Sequence, residues 1–163
     1  MPYRTLPWLM LSLLAISGAV QAQDLQRGEY LAKIMDCTGC HTPGALAGQP
    51  DMSQFLGGST IGFEIPGVGV VYPPNLTPDS ETGLGKWSAD DMMKAIRTGM
   101  RPDGRQLIPV MPYMSYAALT DADAAALVAY LRSIKPVPHK APANTKAGDA
   151  ARAPYLSVVV PKQ

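Results

Sequence analysis

This chain is poor in cysteine and histidine: its 163 residues hold two of each. A closed zinc site takes four Cys or His donors, and His139 stands far from Cys37, Cys40 and His41, in a proline-rich tail. Net charge is nearly absent too, with 14 Lys and Arg against 13 Asp and Glu. Such a balance leaves no footprint for nucleic acid and no general attraction to a membrane surface. Any electrostatic docking then rests on local patches. Strand-like alternation is scarce, so the βαβ context of a thioredoxin-type motif is missing. Apolar runs are short: Leu6 to Val20 falls below the roughly 18 residues of a membrane-spanning helix.

What is present is concentrated in five residues. Cys37-Thr38-Gly39-Cys40-His41 spells C-x-x-C-H, the attachment signature of c-type haem. Two thiols in one short segment can each add across a vinyl group of the same porphyrin. The histidine that follows is then held under the iron, where an imidazole nitrogen can ligate it. A disulfide, a redox C-x-x-C pair and half of a zinc site are the competing readings. A disulfide between cysteines this close would staple almost nothing.

The N-terminus supports export. Arg4 precedes the apolar run Leu6–Val20, and Val20-Gln21-Ala22 places small residues at the −3 and −1 positions of a cleavage site. This reads as a secretory signal peptide over residues 1–22, cut after Ala22, with an uncleaved membrane anchor as the alternative. In bacteria c-type haem is attached outside the cytoplasm, so a periplasmic location and the motif support each other.

The mature chain divides into a domain over 23–136 and a Pro- and Ala-rich tail over 137–163. Three helices are expected, joined by long loops. The first runs over Asp24–Met35, with Asp24 as N-cap and Leu31, Ile34 and Met35 at helical spacing, straight into Cys37. The second starts at Ser88 with acidic residues in its first turn, offers Met92, Met93 and Ile96, and ends at Gly99. The third follows Thr120, carries Ala124, Leu127, Val128, Leu131 and Ile134, and stops at Pro136. Thr42–Pro74 reads as loop, with a short hairpin possible over Ile61–Tyr72. The tail reads as extended or poorly ordered, with Leu156–Val160 as a segment that could dock. Loops this long need an organiser, and a haem is a large apolar body for them to pack against.

His41 offers one axial ligand, and the other face needs a donor. Met35 is too near the motif to reach it. Met92 and Met93 sit on a core-facing stripe, and Met52 and Met100 have no special context. Met111 lies between Pro109 and Pro112, in a stretch that cannot be helical, where a stiffened loop can present a thioether. Met111 is therefore the leading ligand, with Met114, His139 or an open position as alternatives. A saturated iron suits single-electron transfer, whereas an open one permits ligand binding or peroxidase chemistry.

In this order, the first helix, C-x-x-C-H, the long loop, Met111-Pro112 and the capped last helix resemble a class I cytochrome c, over about Leu25 to Pro136. Pro74-Asn75-Leu76-Thr77-Pro78, Gly85-Lys86-Trp87-Ser88, Met111-Pro112-Tyr113 and Thr120-Asp121 followed by Ala129-Tyr130-Leu131-Arg132 are similar to single domains of cytochrome c subunits of membrane-bound alcohol, aldehyde and gluconate dehydrogenases. The resemblance implies a mainly α class I fold around one covalent haem c. It implies thioethers at Cys37 and Cys40 and axial ligands at His41 and Met111. Gly28 and Tyr30 would meet Tyr130 and Leu131 where terminal helices cross. A backbone carbonyl would orient His41, with Pro50 as candidate. Trp87 and Tyr113 would line the haem or be plain core. The expected role is a periplasmic mono-haem carrier rather than an enzyme, passing single electrons from a dehydrogenase-type donor to an oxidase or another cytochrome. Membrane association would come only through a partner or an uncleaved anchor. The alternative is a haem enzyme or gas sensor with an open sixth position. One motif stands here where those subunits carry two or three, and the tail lies outside the resemblance.

Overall fold

The computed structural model describes residues 24–161. The expected leader and its cleavage after Ala22 lie outside them. Helix α1 covers 24–34, α2 Cys37–His41, α3 Ala89–Thr98, α4 Tyr113–Tyr116 and α5 Asp121–Ser133. Strands β1 (Gly62–Ile65), β2 (Gly69–Val71) and β3 (Tyr155–Leu156) form one sheet in the order β2-β1-β3.

The three long helices form for local reasons. Ser88 accepts a hydrogen bond from the Asp91 amide while the Asp91 carboxylate accepts from the Ser88 amide, a closed capping box. Gly99, at φ 72°, closes the far end of α3 in the left-handed region that glycine tolerates. Thr120 caps α5 through the Asp123 amide. One face of each helix is buried: Leu31 and Ala32 of α1, Met92 and Ile96 of α3, and Leu127, Val128 and Leu131 of α5 meet in one core with Leu56. Helices α1 and α5 cross at Gly28, where a side chain would overlap the Ala126 carbonyl and the Tyr130 Cβ. Tyr30 follows two residues later on α1. It is exposed, with the Arg27 guanidinium over its ring.

Several expectations need correction. Asp24 is already helical rather than capping. Helix α1 does not run into Cys37: it stops at 34, and Asp36 turns the chain at φ 53° before α2 begins. Ile34 is 60% exposed, because the buried stripe of α1 ends at Ala32. The three expected helices are α1, α3 and α5, and among the described residues the connections between them also hold the short helices α2 and α4 and a three-stranded sheet. The sheet was legible only as a possible hairpin, because its strands have two to four residues, too short for a period-two signal. The possible hairpin is β1–β2, antiparallel with Phe63 opposite Val71. The tail supplies the third strand: Tyr155 pairs with Gly62 and Leu156 with Phe63, in parallel. Val158, Val159 and Val160 beyond it stay exposed, so docking is confined to the start of the segment.

Candidate functional site

The motif is shaped by the residue before it. Asp36 occupies the left-handed region, and its carboxylate accepts the Gly39 amide at 3.1 Å, capping α2. A side chain at position 39 would meet that carboxylate and push it off its capping position. One turn of helix then carries Cys37, Cys40 and His41.

All three line one cavity of about 560 Å³, within the ~300–1,000 Å³ common for cofactor clefts. Helix α3 contributes Met92, Ala95 and Ile96 to its wall, and the loop before α4 contributes Leu107, Ile108 and Met111. Trp87 and Tyr116 add aromatic surface, and the Tyr116 hydroxyl donates to the Met35 carbonyl at 2.9 Å. Burial and its neighbours push the Tyr116 phenol up to about 12. Arg101, Arg105 and Lys140 bring positive charge to the lining. The Arg101 guanidinium also lies over the Trp87 ring, 5.0 Å from its centroid.

Both cysteines are free thiols. Burial pushes Cys37 up to about 11 and raises Cys40 as well, so both stand as neutral thiols. A redox dithiol works through a lowered thiol pKa, and this environment acts the other way. His41 is 7% exposed, and burial lowers its pKa while the Pro74 carbonyl opposes that shift. Its Nδ1 lies 2.7 Å from the Pro74 oxygen. A carbonyl only accepts, so Nδ1 carries the proton and Nε2 of the neutral ring keeps its lone pair. Two free thiols, one available imidazole lone pair and an apolar wall fit a covalently held haem. Among the described residues no cluster of three or more His, Cys, Asp or Glu suggests any other metal centre.

The orienting carbonyl is Pro74, not Pro50. The sequence separation of 33 residues between His41 and Pro74 is closed only by the folded loop. Of the methionines weighed for the second ligand, Met35, Met92 and Met111 line the cavity. Met92 is a buried core residue of α3, and Met35 directly precedes the motif. Met111 sits in a turn closed by its own amide to the Ile108 carbonyl and by the Tyr113 amide to the Met111 carbonyl. Met114 is 67% exposed and does not line the cavity. Neither does His139, whose Nδ1 donates to the Gly57 carbonyl at 2.8 Å. Trp87 lines the cavity, whereas Tyr113 packs beside Gly99.

Sequence reasoning missed Asn75, Tyr116 and the tail residues Lys140, Ala141, Pro142 and Asn144, all of which line the cavity. Asn75 stood inside a quoted motif but carried no local chemical signal. The tail has no periodicity that would point back to the site.

Comparison with known proteins adds a family and relatives. The family model described as Cytochrome c matches residues 25–135. The chain is 43% identical over 134 residues to the cytochrome c subunit of a quinone alcohol dehydrogenase from Gluconobacter oxydans, covering 78% of this chain and 26% of that protein. It is 44% identical over 120 residues to a gluconate 2-dehydrogenase cytochrome c subunit from Pantoea cypripedii, covering 72% and 25%. It is 41% identical over 120 residues to a fructose dehydrogenase cytochrome subunit from Gluconobacter japonicus, covering 72% and 23%. The chain thus spans about a quarter of the length of these curated relatives.

Proposed function

The chain belongs to the cytochrome c family, and from that membership we propose that it is a mono-haem class I cytochrome that carries single electrons. The observation that carries this reading is the meeting of Cys37, Cys40, His41 and Met111 on one apolar cavity. Cys37 and Cys40 hold the cofactor covalently. His41 offers Nε2 from one side, with its ring fixed by the Pro74 carbonyl. Met111 offers a thioether from a loop stiffened by Pro109 and Pro112. The surrounding aliphatic and aromatic side chains exclude water. When bound, the haem iron supplies a one-electron couple whose potential rises with His/Met ligation.

The proposed setting is the periplasm, reached through the leader at 1–22. The haem-bearing domain is 23–136, followed by the tail 137–163. No helix among the described residues is long and apolar enough to cross a membrane. The relatives' own names support a dehydrogenase-type donor, and an oxidase or a second cytochrome is the proposed acceptor.

A redox titration followed by absorption spectra tests the reading on protein made in a host that attaches haem. A single reversible one-electron transition is expected, with a mass increase of one haem. A mass without porphyrin would end the haem reading. Rapid, complete carbon monoxide binding to the reduced protein at neutral pH would replace the carrier with a haem enzyme or gas sensor.

A further inference from the structure

The tail does more than add a strand. Residues 137–145 run back across the loop that orients His41, and they hold it on both sides of Pro74. On one side stands Asn75, 1% exposed. Its side-chain amide donates to the Val137 carbonyl at 2.7 Å, the His139 carbonyl at 3.1 Å and the Thr82 hydroxyl at 3.0 Å. Its oxygen accepts from the Thr77 amide and hydroxyl, both at 2.8 Å, and the Thr77 hydroxyl accepts from the Val137 amide. Every donor and acceptor of this buried amide is used, and the two tail carbonyls have no other route into the body. On the other side, the Tyr72 amide donates to the Asn144 side chain at 2.8 Å, and Thr145 exchanges two hydrogen bonds with the Val70 backbone.

The body has room prepared for this segment. A side chain at Gly57 would press on Val137, and one at Gly58, at φ 99°, would crowd Ala141 and the Asn75 amide. One at Gly69, at φ 121°, would meet the Thr145 and Lys146 backbone. At all three glycines an added side chain would meet the strap, at Gly57 together with the Gln54 carbonyl. The strap also supplies Lys140, Ala141, Pro142 and Asn144 to the cavity wall. It lies beyond the residues matched by the family model, which end at 135.

We propose that residues 137–145 are a strap that fixes the Pro74 carbonyl, and through it the His41 ring, with Asn75 as the positioning residue. This rests on His41 being the iron ligand of the proposed carrier. Without the strap the segment Tyr72–Asn75 would keep its bonds to the body, such as Ser59 amide to Pro73 carbonyl, but lose the grip flanking Pro74. A looser carbonyl weakens its hold on the Nδ1 proton and widens the range of ring orientations.

Nuclear magnetic resonance of the full-length holoprotein tests this directly. In the reduced state, exchange of the His41 Nδ1 proton reports the Pro74 hydrogen bond. In the oxidised state, the haem methyl shifts report the orientation of the ligand ring. In Asn75→Ala the Nδ1 proton is expected to exchange on the order of tenfold faster, the loss that one buried hydrogen bond can produce, with a rearranged methyl pattern. An unchanged exchange rate and methyl pattern in a folded but less stable variant would overturn the proposal, since Asn75 would then only hold the fold. If Asn75→Ala yields no holoprotein, Asn144→Ala with Thr145→Ala decides the matter, because both side chains lie at the surface end of the strap. Faster exchange in that double variant supports the strap, and wild-type exchange overturns it. Failure of the carrier reading itself is distinct: the wild-type protein would then lack a histidine-ligated haem spectrum.

Discussion

Each thiol and imidazole of the motif owes its chemical state to a neighbour. The Pro74 carbonyl selects the tautomer of His41, Asp36 sets the turn that presents it, and burial keeps Cys37 and Cys40 protonated. The methionines divide by placement in the same way. Met111→Ala is expected to lower the reduction potential and let carbon monoxide bind the reduced protein, while Met114→Ala, at an exposed position, leaves both close to wild type. Spectroelectrochemistry of the two variants checks this, and the reverse result would reassign the ligand. C-x-x-C-H was readable residue by residue, because its spacing is its chemistry. Pro74 was not, because its partnership with His41 depends on a loop of 33 residues folding back. Pro50 is nearer in sequence, but that nearness places no carbonyl under the ring.

Helix α3 carries part of the cavity wall, and α5 belongs to the core. Ser88→Ala opens the capping box of α3 and is expected to cost about 1 kcal/mol of stability, measured as a shift in the denaturation midpoint of the holoprotein. Leu127→Ala removes a fully buried side chain of α5 and is expected to cost roughly 2–5 kcal/mol. A cost for Leu127→Ala no larger than for Ser88→Ala would show that the core relaxes around the gap. Both helices were legible from the sequence, since caps and periodicity are local properties. The sheet was legible only as a possible hairpin. Strands of two to four residues contain too few positions to alternate, and β3 pairs with β1 across some ninety residues.

At the scale of the whole molecule, acid is the condition that the carboxylates make informative. Asp51, Asp79, Asp91, Asp103 and Asp123 are all held below the ordinary carboxylate value. The leading causes are hydrogen bonds from Ser53, Thr82, Ser88, the Arg105 amide and Arg27 respectively. A carboxylate whose folded pKa is depressed contributes stability above its unfolded value, and that contribution is lost as pH falls through the folded one. The melting temperature is therefore expected to hold steady down to about pH 5 and to fall below about pH 4. A thermal melt series across that window checks it, and a flat curve to about pH 3 would show that these carboxylates bind protons alike folded and unfolded.

The order of residues along the chain was enough to name the attachment motif, the two capped helices and the proline-bracketed Met111, because each depends on neighbours within a few positions. Folding alone brought Pro74 under His41, gave the tail to the cavity wall and set Asn75 between them. Those contacts join residues 33 to 64 positions apart. Nothing in a local window records which distant carbonyl a buried ring or amide will meet, since hydrogen bonding and burial are satisfied only when the whole chain is compact.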